Sequence, residues 1–556
     1  MNLAANRPHA APNAPASGTL AMDRRASAAA LVLLAVLALA WQSSRSLWEP
    51  DEGRYTAVAL QMLDSGNWWV PHLNDAQPHL AKPPLTYWLI AASVGVLGRS
   101  EWAVRLPFVL AFVLTGWLVL VIARALALPR PALAPVIWAS SLGPFLAAGV
   151  VTTDPLLTLF ETCAIAAFLR SGVLERDVPE RAWIRLMWFA YACGFMTKGP
   201  PALLPLLASL VWLRFAKRKA ALRALFDPSG VVLFCAFGVT WYAALVVREP
   251  RLLGYFLGYE LFDRIFSGVH GRNASLGGLV RTYLPTLAAG LLPWGAVALW
   301  RRLPRERGAP ETQPPRCGPE RPFLWCWLLV PLGIFMIARS RLPLYLLPLF
   351  VPLALLLHRD VAAVWQRNEA RSGAVTALWL LLLVGARAGI SHYPTSHDAR
   401  ALGTEIKRAM SGMREPAKEI VYVARQPAYG LRFYLGVPTV RVELAAGRPL
   451  PGGVATWPAA CDGAARADHA LWLVEPAHEA ALTRTLRTCG YEARRLASRV
   501  RNLTALEVVR GALHAEQRSA TDGAVLHSLR RAAQPPASSR PAPSTTAAAA
   551  PARPES

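Results

Sequence analysis

Along most of the chain, long apolar stretches alternate with short joints rich in Arg, Lys and Pro. A bilayer span needs about 20 apolar residues. Eleven stretches are read on that basis as membrane helices: near 26–46, 104–125, 131–149, 154–171, 184–198, 200–215, 229–247, 279–300, 322–338, 342–358 and 373–391. A further stretch, 84–98, is short and opens on prolines, which predicts an interfacial or re-entrant helix. Beyond about 395 the pattern changes. The runs EIVYVAR (419–425), ALWLVEP (470–476) and ALEVVR (505–510) predict strands, and Glu479–Thr488 has helical periodicity. The expected organisation is a disordered cytoplasmic tail over 1–25, a helical membrane domain over 26–391, a small extracytoplasmic α/β domain over 392–512, and a disordered Ala/Pro/Ser-rich tail over 513–556.

Composition supports this reading. Of 556 residues, 54% are hydrophobic and 17% charged, and mean hydropathy is +0.30. Soluble domains average about 25% charged residues. The net charge of +24 falls in short clusters between apolar runs, as the positive-inside rule produces, so it gives no reason to expect a nucleic-acid partner. Arg214, Lys217, Arg218, Lys219 and Arg223 lie together without one acid and mark a cytoplasmic loop. With the N-terminus inside, an odd helix count puts everything after about 391 outside, in the periplasm of a Gram-negative cell. The first apolar run lacks a convincing small-residue cleavage site and is read as a signal anchor.

Of seven cysteines, Cys163, Cys193, Cys235 and Cys326 fall in apolar runs and Cys317 in a cytoplasmic loop. Cys461 and Cys489 share the outer domain, where a disulfide or two free thiols are both open. No CxxC or HxxxH metal signature is present.

Unusual polar residues gather on the outer side. The first external loop opens with Trp48-Glu49-Pro50-Asp51-Glu52-Gly53-Arg54-Tyr55. Such charges beside a membrane helix are paired, functional or part of a helix cap. Lys82, before the interfacial helix, suits an anionic headgroup or ordinary snorkelling. Asp154, Lys198, the loop with Tyr255, Tyr259, Glu260, Asp263, Arg264, His270 and Arg272, and the stretch from Arg341 to Tyr345 all reach the same side. Cations of this kind suit a phosphate-bearing donor, with a carboxylate available as base.

Seven motifs in register carry a resemblance: Asp51-Glu52-Gly53-Arg54-Tyr55, Met62–Trp68, Lys82-Pro83-Pro84-Leu85-Thr86-Tyr87-Trp88, Arg105-Leu106-Pro107, Thr153-Asp154-Pro155, Thr197-Lys198-Gly199-Pro200 and Leu342–Pro348. Over about 40–390 the chain resembles the polyprenyl-phosphate-dependent glycosyltransferases of the GT-C fold, nearest the aminoarabinose lipid A transferase branch and related to protein O-mannosyltransferases. The resemblance implies an inner-membrane, multi-pass enzyme of about 11–13 helices. Its active site would face the periplasm. It would invert the anomeric centre while moving a sugar, 4-amino-4-deoxy-L-arabinose, from undecaprenyl phosphate to lipid A. Lipid A so modified attracts cationic peptides less.

By the same resemblance, Asp51 and Asp154 are the catalytic acids. Arg54, Lys82, Arg264 and Tyr345 bind the donor phosphate. Glu52, Tyr55, Lys198, Glu260, His270 and Arg341 are further cavity candidates. A divalent metal is left open, because the family's ligand positions carry Ala81 and Leu261 here. Alternatives with the same fold are transfer to protein hydroxyls with a mannose-type donor, or to another periplasmic surface glycan. A transporter or lipid flippase is the rival of another class. It calls for midplane charges or inverted repeats.

Overall fold

The computed structural model describes residues 17–510 except 76, 177, 270, 304–319, 446–455 and 467–468, and no side chains for 17–22. His270 and Cys317 lie outside the described residues.

Among the described residues, each predicted apolar run is helical, but the runs differ in kind. Five helices are long and apolar enough to cross a membrane by themselves: Glu101–Ala125, Pro228–Arg248, Glu320–Ile337, Pro343–Arg367 and Glu369–His392. Thr153–Arg170 has the length but carries Asp154, Glu161 and Arg170. Arg181–Lys198 carries Arg181, Arg185 and Lys198. Asp154 and Glu161 are buried inside the bundle, where protein rather than lipid surrounds them. Leu85–Leu97 is a 13-residue helix, too short to span, as its sequence predicts.

Two predicted spans are broken, which corrects the expectation of continuous helices. The 131–149 run divides at Ser141 into Leu133–Ser140 and Leu142–Ala147. The 279–300 run bends by 82° between Leu276–Gly290 and Trp294–Arg302. The breaks meet. Leu142 N–H donates to the Leu292 carbonyl at 3.1 Å, so each break satisfies a backbone group freed by the other. The Phe350 ring fills the gap. A Cβ at Gly143 or Gly290 would stand only 2.6 or 2.4 Å from it.

The outer part is a five-stranded mixed sheet, in the order Thr439–Val442, Glu419–Val423, Ala470–Val474, Leu503–Arg510, Tyr491–Val500. The first three strands are parallel, and Leu503–Arg510 runs antiparallel to both neighbours. The predicted strands are the three central ones. The two that sequence reading missed are the edges. Tyr491–Val500 is largely exposed and carries Arg494, Arg495 and Arg499, which blunts its apolar alternation and suits an edge. Helix Ala399–Met410 is capped by Asp398, whose carboxylate accepts from Ala401 N–H at 2.8 Å. Cys461 and Cys489 are joined, tying helix Ala460–Arg466 to the end of helix Pro476–Thr488.

Sheet and membrane parts share a core. Tyr429 and Phe433 pack with Tyr55, Val58, Met62 and Tyr87 in one apolar cluster. Polar contacts close the seam: Arg432 donates to Gln61 and to Asp64 (2.7 Å), Arg400 pairs with Glu101 at 2.6 Å, and Glu49 N–H bonds the His397 carbonyl at 2.9 Å. The seam lies directly on the first external loop and its helix, Asp51–Ser65.

Candidate active site

Helix Asp51–Ser65 begins at Pro50, and its first turn presents Asp51 and Arg54 to a cavity of about 710 Å³. Glu52 points the other way. Its side chain is buried, bonded by Arg45 at 2.6 and 2.8 Å and by Arg105 at 3.1 Å, and it accepts from Trp48 N–H at 2.9 Å and Val151 N–H at 3.3 Å. Burial alone would raise its pKa, but Arg105 and Arg45 hold it down to about 2. Arg105 has no exposed surface and also donates to the carbonyls of Gln42, Arg45 and Ser46 at 2.6–2.7 Å. Glu52 and Arg105 are therefore the frame that fixes the loop ahead of Asp51. The Arg105-Leu106-Pro107 motif signalled this residue, though not that it works through three backbone carbonyls.

Five cations line the cavity: Arg54, Lys82, Lys198, Arg264 and Arg272. Three acids accompany them: Asp51, Asp154 and Glu260. The groups form a chain. Asp154 takes Lys198 at 2.5 Å. The Lys198 ammonium sits 4.2 Å from the centre of the Tyr345 ring. Arg272 donates to the Tyr345 hydroxyl at 3.2 Å. Arg264 pairs with Glu260 one helical turn away, and Glu260 faces Lys82 at 3.7 Å. Asp51 pairs with Arg54, whose buried Nε makes no hydrogen bond. Burial and the neighbouring Arg264 push the Lys82 amine down to about 7, against the pull of Glu260. Excess cation with an orphaned donor is the signature of a place for an anion.

Asp51, Asp154, Arg54, Lys82, Arg264, Tyr345, Tyr55, Lys198 and Glu260 all meet at this cavity. Glu52 does not line it. Nor does Arg341, which is buried and holds the carbonyls of Asn273, Ser275 and Met336. Sequence reading missed His79 and three residues of the sheet part: Gln426, Tyr429 and Trp457. No single-chain pattern links residues so far apart.

The family model for dolichyl-phosphate-mannose-protein mannosyltransferases matches residues 81–258. A relative in Pectobacterium carotovorum, named undecaprenyl phosphate-alpha-4-amino-4-deoxy-L-arabinose arabinosyl transferase, is 34% identical over 369 residues, which is 66% of this chain and 64% of that one. One of the same name in Edwardsiella ictaluri is 33% identical over 357 residues, 62% of this chain and 61% of that one. The match thus spans a little under two thirds of these relatives. The crystal structure of ArnT from Cupriavidus metallidurans bound to undecaprenyl phosphate superposes with a TM-score of 0.66 at 21% identity, covering 88% of this chain and 98% of that one. This is the GT-C fold of the ArnT type. The superposition covers nearly all of that chain and most of this one.

A metal fits this cavity poorly. Among the described residues no three of His, Cys, Asp or Glu converge. Positions 81 and 261 carry Ala and Leu, which have no donor atom, and Glu260 is engaged by Arg264 and Lys82. The residues at hand supply positive charge through side chains.

Proposed function

We propose that the protein is an inverting glycosyltransferase of the periplasmic face of the inner membrane, moving 4-amino-4-deoxy-L-arabinose from undecaprenyl phosphate to lipid A. The observation that carries this reading is the cluster of Lys82, Arg264 and Arg272 in one cavity with Asp51 and Arg54. The relatives' names supply the sugar and carrier.

In this reading an acceptor phosphate oxygen attacks the anomeric carbon. The bond from that carbon to the carrier phosphate breaks, and its electron pair stays on the carrier oxygen. Lys82, Arg264 and Arg272 face the charge that grows there. One such preorganised donor is worth about 10²–10³ in kcat. A phosphate acceptor is already anionic and needs no base, so Asp51 serves to hold Arg54 and orient the incoming group. A hydroxyl acceptor would instead give its proton to Asp51. The mannosyltransferase family match over 81–258 favours that second reading.

The test is mass spectrometry of lipid A from a host that makes the aminoarabinose carrier but lacks its own transferase. The expected result is a pentosamine on lipid A with the unaltered protein, lost in Lys82→Ala. Unmodified lipid A at normal membrane levels overturns the acceptor assignment, and glycosylated periplasmic protein in its place establishes the second reading.

A further inference from the structure

The cavity has two chemically different parts. Lys82, Lys198, Arg264 and Arg272 act on one another electrostatically and share Glu260 and Tyr345. Gln426, Tyr429 and Trp457 are uncharged and come entirely from the outer α/β part. Tyr429 lies within electrostatic reach of Arg54, so this aromatic wall adjoins the Asp51–Arg54 side of the cavity.

The wall is held by close contacts on both sides. Gly430, next to Tyr429, donates its N–H to Glu49 Oε1 at 2.5 Å. Its backbone lies so close to Gly53 that a Cβ on Gly430 would stand 3.1 Å from the Gly53 Cα and 2.4 Å from Glu49 Oε1. Arg441 packs on the Trp457 ring at 4.7 Å and is bonded by Glu443 at 3.0 Å. Tyr429 is buried, and its hydroxyl, with Gln77 nearby, makes no well-formed hydrogen bond. A buried hydroxyl whose hydrogen bond is poorly formed gains from a ligand that pairs it better. Aromatic faces take the CH face of a sugar ring and attract an ammonium by cation–π interaction.

We propose that Gln426, Tyr429 and Trp457 read the sugar carried on the lipid phosphate, so that the outer domain sets which sugar the membrane domain transfers. The cations hold the phosphate of any carrier. The aromatic wall distinguishes a carrier bearing an aminosugar from a bare one. This rests on the polyprenyl-phosphate reading above.

The experiment compares binding of two probes to full-length protein in nanodiscs: undecaprenyl phosphate, and the same lipid bearing aminoarabinose. The unaltered protein is expected to prefer the sugar-bearing lipid. Trp457→Ala is expected to weaken that lipid about tenfold while leaving the bare lipid within about twofold. Tyr429→Phe, which removes one oxygen and preserves packing, moves the ratio the same way by a smaller factor. Trp457→Phe restores most of the preference. Variants that hold both lipids in the unaltered proportion overturn the proposal, as does an unaltered protein without preference. A change confined to the KM for lipid A overturns it too, by placing the acceptor on this wall. Failure of the transferase reading shows elsewhere: the unaltered protein leaves lipid A unmodified, while the binding ratio still decides the role of the wall.

Discussion

The Lys198 ammonium lies 2.5 Å from the Asp154 carboxylate, with both side chains at least nine-tenths buried, and the same ammonium covers the Tyr345 ring. The carboxylate neutralises a cation that would otherwise add to the four others of the cavity. Removing one member of a buried pair strands the other charge and costs about 3–5 kcal/mol. Asp154→Ala is therefore expected to lower thermal stability sharply in detergent, and Asp154→Ala with Lys198→Met to recover most of it. A double variant as unstable as the single one would show that Asp154 is held by something other than Lys198.

Lys82 carries a pH dependence. Its amine is pushed down to about 7 by burial and Arg264. A bound phosphate favours the charged form and raises that value. Above pH 7 binding must then take up a proton, so affinity for bare undecaprenyl phosphate falls as pH rises, by at most tenfold per unit. Lys82→Arg stays charged and flattens the profile between pH 7 and 9. Direct binding measurements across that range check both statements.

Glu49 titrates in the opposite setting. Burial pushes its carboxyl up to about 8, despite the Gly430 N–H and Arg54 that favour the ionised form. The folded protein keeps this proton where the unfolded chain has lost it. Stability from this group is full below about pH 4.5 and is lost as pH rises toward 8. Glu49→Gln keeps an oxygen for Gly430 and removes the titration. It is expected to flatten the pH profile of the melting temperature between pH 5 and 8.

Gly53 is a steric test of the same seam. A Cβ there would stand 2.2 Å from Glu49 Oε1 and 2.6 Å from Gly430 N. Gly53→Ala is expected to loosen the outer domain from helix Asp51–Ser65, expose its linkers to protease and lower transfer at least tenfold. Digestion as slow as in the unaltered protein would show that the seam adapts.

Arg105 supports the loop from behind. It is fully buried between Glu52 and three carbonyls. Arg105→Met leaves Glu52 with Arg45 as its one paired cation and frees the carbonyls, at a cost of about 3 kcal/mol or more. Both kcat and membrane level are expected to fall. Unchanged turnover at normal levels would detach this frame from Asp51.

Much of this molecule is written locally. Apolar runs long enough for lipid, basic joints between them and three β-rich runs on the outer side are properties of neighbouring residues. Most of the cavity candidates are legible too, because Asp51, Lys82, Asp154, Lys198, Arg264 and Tyr345 stand at helix ends or loops on one side. Which way each side chain turns is not a local property. Asp51 and Glu52 are adjacent, yet one faces the cavity and the other a buried arginine, because helical geometry separates neighbours by about 100°. Arg341 looks like a cavity cation until its guanidinium is seen to hold three carbonyls. The breaks at Ser141 and near Leu292 meet across the bundle, and the aromatic wall is held beside the first loop by contacts such as Gly430 N–H to Glu49 and the shared apolar cluster of Tyr429 with Tyr55. The sequence by itself determined the apolar helices and the α/β region that follows them, since these follow from transfer of apolar residues out of water and from the alternation of apolar and polar positions. Tertiary structure alone decided which charges pair, where the spans break and that residues near 430 and 457 complete the cavity, since those depend on contacts between residues hundreds of positions apart.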